Sequence, residues 1–172
     1  MTQQEIGEIV LRFDEMLCGD GGRVLDEQYR RLAAERVGFA DQLEAAKREA
    51  LEAMTRLAER AGDSSFLLGF RELPEWVRLG LLTALVSWVF GEASTCAHRP
   101  DPMRPQPVVA AAWKPDLVVC GECTDLFVLP PGSDADRTCD GCGRVVEEIV
   151  PWAVSHGAFT YLMGLCDGCT LQ

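Results

Sequence analysis

Apolar positions at the start of the chain recur at helical spacing. Ile6, Ile9, Val10, Phe13 and Leu17 fall on one face, behind Thr2 as N-cap and Glu5 as the second half of a capping box. The glycine-rich run from Gly19 to Gly22 predicts a stop. From Leu25 to Ala61 the apolar series is Leu25, Tyr29, Leu32, Phe39, Leu43, Ala46, Ala50, Met54 and Leu57, with Ala, Glu, Arg and Lys filling the rest. One helix of that length would run about 55 Å. The spacing therefore allows a coiled-coil dimer, a pair of helices broken at Gly38, or a long helix folded against its neighbours.

A third helix is predicted from Pro74 through "EWVRLGLLTALVSWVFGEA", with Glu75 beside its N-terminus. It is apolar on nearly every side, which fits a buried central helix. Its uncharged run from Leu79 to Gly91 would extend about 20 Å, short of the roughly 30 Å hydrocarbon layer of a bilayer. No transmembrane span is expected, and Trp76, Trp88 and Phe90 need no ligand to explain them.

The pattern changes after Glu92. Pro100, Pro102, Pro105, Pro107 and Pro115 exclude a continuous helix. Short apolar runs take over: "PVVAAAW", "DLVV", "TDLFVLP", "RVVEEIVPW" and "AFTYLMGL" read as strands separated by turns. The expected fold class is α+β, with an N-terminal helical hairpin or bundle followed by a small β-rich module holding two zinc ions. The expected division is residues 1–93 for helical packing or oligomerisation and 94–172 for the metal module, each folding largely on its own.

Charge narrows the range of partners. The 172 residues carry 27 acidic and 16 basic side chains, a formal charge of -11, and both halves are acidic. Such a field opposes nonspecific contact with phosphate backbones. Arg99, Arg104, Lys114, Arg137 and Arg144 would have to converge in space to form a basic patch. The first residues are acidic where a secretory leader needs a basic segment and an apolar core, so a reducing, cytoplasmic setting is expected.

Eight cysteines in this setting point to metal. Cys120 and Cys123 form one Cys-x-x-Cys, Cys139 and Cys142 a second, Cys166 and Cys169 a third; Cys96 and His98 supply a Cys-x-His in which an extended backbone would turn both side chains the same way. These eight ligands divide evenly into two closed four-donor sites, with Zn²⁺ the expected ion at two per chain. Iron or an iron–sulfur cluster would take similar soft ligands. Cys18 stands alone and reads as a small buried hydrophobe. His156 reads as structural or surface, although it could replace His98.

In residues 118–150, "CGEC" and "CDGCG" flanked by short apolar runs resemble the zinc-ribbon class, in which two such knuckles sit at the ends of antiparallel strands. The resemblance covers that stretch alone. It implies a structural metal and no particular activity. Three divisions of the ligands are open. The nested one joins Cys120/Cys123 to Cys139/Cys142 and leaves Cys96/His98 with Cys166/Cys169; a sequential one takes the groups in chain order; a crossed one alternates them. The short central loop and hairpin-like flanks favour the nested form.

Catalytic motifs are missing from the sequence. It has no His-Glu zinc-hydrolase helix, no deaminase pattern, no phosphate loop, no nucleophile elbow and no dinucleotide fingerprint. Asp140 and Asp167 sit in knuckle turns, where backbone capping is the plain role. The expected function is a non-enzymatic, zinc-binding structural or interaction protein, an adapter or assembly component with a protein partner or a homo-oligomeric state. The alternative is a zinc-ribbon nucleic-acid-binding or transcription-regulatory protein.

Overall fold

The computed structural model describes residues 2–19, 22–61 and 69–170. Four helices come first: α1 (Gln3–Cys18), α2 (Gly22–Glu35), α3 (Phe39–Ala61) and α4 (Glu75–Val89). The capping box forms at Thr2 and Glu5, and Ile6 and Val10 are the buried positions of α1. The long second segment breaks at Gly38, whose φ of 77° takes the left-handed conformation that glycine adopts without strain. Buried Ala46, Ala50 and Met54 mark the packed stripe of α3. The side chains of Leu25 and Leu57, expected on that segment's inner face, lie outside the described residues, as do Asp20 and Gly21 of the stop and residues 62–68 of the connector.

Helix α4 is the central element. Val77, Leu81, Leu82 and Ala84 are at most 1% exposed, and burying each leucine contributes about 1.5–3 kcal/mol relative to leaving it in water. Arg78, the one cation in its first turns, is tied to Asp14 of α1. Trp88 donates its indole N–H to the Pro100 carbonyl at 3.0 Å, so the aromatic that closes the helix anchors the following proline-rich loop. Among the described residues no helix is long and apolar enough to cross a membrane.

Five strands follow: β1 (Ser94–Thr95), β2 (Val108–Ala111), β3 (Lys114–Cys120), β4 (Val150–His156) and β5 (Phe159–Leu165). They form one mixed sheet in the order β1-β3-β2-β5-β4. Two antiparallel hairpins, β2–β3 and β4–β5, join through a parallel contact of β2 with β5. Because β5 runs with β2, it runs against β3. The C-terminal ends of β3 and β5 therefore emerge at opposite ends of the sheet, and each carries a Cys-x-x-Cys.

One face of the sheet meets α1 and α4. Val118, Tyr161, Met163 and Leu165 share a buried cluster with Ile6, Val77 and Leu81. The boundary between Val89 and Ser94 thus divides kinds of secondary structure, and the two kinds share a core. Gly80 lets α4 approach closely: a Cβ there would stand 2.5 Å from the Tyr161 hydroxyl. On the other face Val109, Ala111 and Val119 pack with Phe127 and Cys96. Helix α3 reaches the sheet at the β4–β5 hairpin, where Ser155 Oγ donates to Met54 Sδ at 2.5 Å.

Two strand expectations differ from the structure. "TDLFVLP" is not a strand; residues Gly121–Phe127 form a short 3-10 segment that turns Phe127 into the core at 3% exposure. Trp113 Nε1 caps its end on the Phe127 carbonyl at 2.9 Å, and Lys114 Nζ donates to the Leu126 carbonyl at 2.5 Å. These two donors sit at the β2–β3 turn, far enough in sequence that local pattern gives no sign of them. In "RVVEEIVPW" the strand begins only at Val150, and the earlier part makes a single bridge between Thr138 and Val145.

Candidate metal centres

The eight expected ligands gather into two clusters, Cys96–His98–Cys120–Cys123 and Cys139–Cys142–Cys166–Cys169. In each, the donor atoms all lie within 4.8 Å of one another. The division is sequential. The nested arrangement that the sequence favours fails because the stretch from β3 to β4 is not one hairpin: β2 and β5 stand between those strands. Each Cys-x-x-Cys that ends a hairpin meets the ligand pair that precedes that same hairpin.

In the first cluster Cys96 and His98 come together through a tight turn, with the Arg99 N–H on the Cys96 carbonyl at 2.9 Å. Arg99 itself takes a φ of 48°. This turn replaces the extended Cys-x-His expected from the sequence; the strand ends at Thr95, before the first ligand. Cys120 closes β3 and the 3-10 turn after it swings Cys123 back. His98 Nδ1 lies 3.2 Å from Cys120 Sγ and 3.3 Å from Cys123 Sγ, and Cys96 Sγ lies 3.8 Å from Cys120 Sγ.

The second cluster is built the same way with four thiols. The Gly143 N–H closes the first knuckle on the Cys139 carbonyl at 2.7 Å, with Gly143 at φ 70°. Gly141 is needed for room instead: a Cβ there would meet Cys169 Cβ at 3.2 Å. Cys166 follows β5, and the Cys169 N–H returns to the Cys166 carbonyl at 2.8 Å. Cys142 Sγ lies 3.9 Å from Cys166 Sγ.

These distances fit a tetrahedral ion. With Zn–S bonds of about 2.3 Å and a Zn–N bond of about 2.0 Å, tetrahedral edges are about 3.8 Å for sulfur to sulfur and about 3.5 Å for sulfur to nitrogen. The thiols are free and much too far apart for disulfides, whose S–S bond is about 2.05 Å. The surroundings of the thiols differ within each cluster. Burial and the neighbouring thiols Cys120 and Cys96 push Cys123 up to about 12, and hydrogen bonding with Cys166, then burial, does the same to Cys169. Arg144 Nε, 3.4 Å from Cys142 Sγ, pulls that thiol down to about 6. Four thiolates at this spacing repel one another unless a positive ion sits among them.

Backbone donors complete the setting. The Cys120 N–H points to Cys96 Sγ at 3.5 Å and the Cys166 N–H to Cys139 Sγ at 3.3 Å. Asp140 lies in the Cys139–Cys142 knuckle without capping it. Its Oδ2 accepts from the Gly164 N–H at 2.6 Å while its own N–H donates to the Gly164 carbonyl at 2.8 Å, clamping the knuckle to β5. Burial raises its carboxyl above the usual value against that hydrogen bond. Sequence reasoning names Arg144 only as a basic residue; its contact with Cys142 depends on the knuckle's return.

The remaining singled-out residues stay outside both clusters. His156 ends β4 with its ring 5.3 Å from that of Phe70. Cys18 is half-buried at the end of α1, its Sγ 3.7 Å from Asp14 Oδ1. The arrangement is a β-rich C-terminal region, resembling a zinc ribbon, with two clusters that could each hold a metal ion, following an N-terminal set of helices. No family model, no curated protein and no solved structure matches the chain.

Proposed function

We propose that the chain is a non-enzymatic zinc-binding interaction protein, an adapter or assembly component, in which two Zn²⁺ ions hold a surface for a protein partner. Cys96, His98, Cys120 and Cys123 bind one ion; Cys139, Cys142, Cys166 and Cys169 bind the other. The observation that carries this reading is the completeness of each donor set: four donors within bonding reach of one point fill a tetrahedral ion. Catalytic zinc keeps a position open for water or substrate. Bound zinc here supplies charge compensation and cross-linking, and the chain's residues supply the fixed surface.

Residues 1–93 serve packing or oligomerisation and residues 94–172 carry the metal. Fully exposed Val37 and half-exposed Leu51 leave apolar positions on the helical side for a partner or a second copy. Eight free thiols suit a reducing compartment such as the cytoplasm. Of the five basic residues Arg99, Arg104, Lys114, Arg137 and Arg144, four are engaged locally: Arg104 with Asp101, Arg137 with Asp134, Lys114 with the Leu126 carbonyl and Arg144 with Cys142. That favours a protein partner over nucleic acid.

Elemental mass spectrometry with native mass, on protein purified without chelator, tests the reading. Two zinc atoms per chain are expected. A zinc-free chain overturns it, and so does iron with sulfide. Salt-dependent binding of duplex DNA or RNA, lost when the arginines are replaced, would transfer the role to the nucleic-acid alternative.

A further inference from the structure

The second face of the sheet carries a groove that neither cluster uses. It has a volume of about 530 Å³ and opens to solvent. Trp113, Phe127, Val128, Leu162 and Pro151 of the edge strand β4 are among the residues that line it. Val128 is 70% exposed.

Its charge is one-sided. The ionisable side chains lining it are Asp136 and Asp140, and no lysine or arginine does so. The nearest basic side chains in sequence are committed elsewhere, Arg137 to Asp134 at 3.0 Å and Lys114 to the Leu126 carbonyl. An apolar lining beside the exposed Asp136 carboxylate complements an apolar side chain next to a lysine or arginine. A second copy of this chain, at a formal charge of -11, is a poor match for the same groove.

We infer that this groove receives an extended basic and apolar segment of a partner protein. The inference rests on the zinc-scaffold reading, since Phe127 and Val128 follow Cys123 and Asp136 and Thr138 lead into Cys139.

The probe is a fluorescently labelled peptide of about ten residues alternating leucine and lysine between glycine–serine ends, with a control in which glutamate replaces lysine. Anisotropy is measured on the full chain, and zinc is counted on the same sample. The zinc-loaded protein is expected to bind the lysine peptide at least about tenfold more tightly than the glutamate peptide. Asp136→Lys should reverse that order, and Val128→Arg should weaken the lysine peptide by about tenfold or more; both positions are exposed, and zinc content should stay at two. Protein with two zinc ions that ignores the peptide, prefers neither charge, or binds equally well after both substitutions overturns this inference and leaves the scaffold reading standing. A chain without zinc removes the scaffold and the inference together.

Discussion

The backbone N–H of Cys166 donates to Cys139 Sγ at 3.3 Å, and the N–H of Cys120 makes the same contact with Cys96 Sγ at 3.5 Å. In both clusters the cysteine ending a hairpin strand greets the first ligand of the pair before that hairpin. The two halves of the metal region are therefore built on one plan, with His98 standing where the second half has Cys142. Since β3 and β5 run in opposite directions, the two copies of the plan face opposite ends of the sheet.

This pairing makes a sharp prediction about stoichiometry. The double variant Cys96→Ser with Cys120→Ser strikes one cluster and should leave about one zinc per chain. Cys120→Ser with Cys139→Ser strikes both and should leave close to none. The nested pairing requires the reverse: the first double variant would empty both sites and the second only one. Elemental analysis of the two purified proteins decides between them.

The ligands themselves were legible because metal chemistry imposes short local spacings: Cys120 to Cys123 and Cys166 to Cys169 each close within one turn. Their partnership is not, because it depends on contacts between segments distant in sequence: Ser94–Thr95 pairs with Leu117–Val118, and Asp140 bonds Gly164. The same limit explains "TDLFVLP". Its run of apolar residues from Leu126 to Leu129 suits a strand, but Trp113 and Lys114 hold the carbonyls of Phe127 and Leu126 and the knuckle begins its turn. Caps and breaks, such as Thr2, Glu5 and Gly38, involve neighbours three or four residues away and so could be read directly.

The Asp14–Arg78 pair joins α1 to α4 and should be measurable apart from metal. Arg78 donates from Nε at 2.7 Å and Nη2 at 3.2 Å to the two carboxylate oxygens, and from Nη1 to the Leu73 carbonyl at 2.7 Å. The side chains are only 16% and 14% exposed. Asp14→Asn is expected to cost about 1–3 kcal/mol in urea unfolding at neutral pH. Hydrogen bonding from Arg78 holds the Asp14 carboxyl below its ordinary value. A depressed folded pKa gives a contribution that is full above the unfolded value, about 3.9, and disappears as pH falls through the folded one. The difference between wild type and variant should stay constant from neutral pH down to about 5 and shrink below about 4. A gap that grows on acidification would contradict the assignment.

Gly80 offers a test of the helix–sheet contact with opposing terms. Alanine improves helix propensity by about 1 kcal/mol in an exposed helix. Here its Cβ would stand 2.5 Å from the Tyr161 hydroxyl and 3.1 Å from Cζ, in a core where Tyr161 is 4% exposed. Overpacking of this kind costs about 1–3 kcal/mol, so Gly80→Ala should be destabilising despite its propensity. Adding Tyr161→Phe removes the nearer atom and should recover part of the loss. A stable Gly80→Ala protein with an unchanged urea midpoint would show that α4 can back away from the sheet.

Metal removal should be felt in the helices as well as in the sheet. Cys139 is fully buried and belongs to the same cluster as Leu81, Val77 and Ile6, together with Met163 and Leu165 of β5. Loss of the second ion frees both knuckles that pin β5, and β5 carries much of the surface on which α1 and α4 rest. Cys139→Ser, or chelation of the wild type, is therefore expected to reduce the cooperative near-ultraviolet signal and the helical far-ultraviolet signal in one transition. Cys96→Ser should act less on the helices, because Cys96 packs with Val109, Ala111 and Val119 on the opposite face. Circular dichroism at both wavelengths during titration with a chelator checks the coupling. If helicity survives intact while the second ion leaves, then α1, α3 and α4 hold together without the sheet, and residues 1–93 form a folding unit of their own.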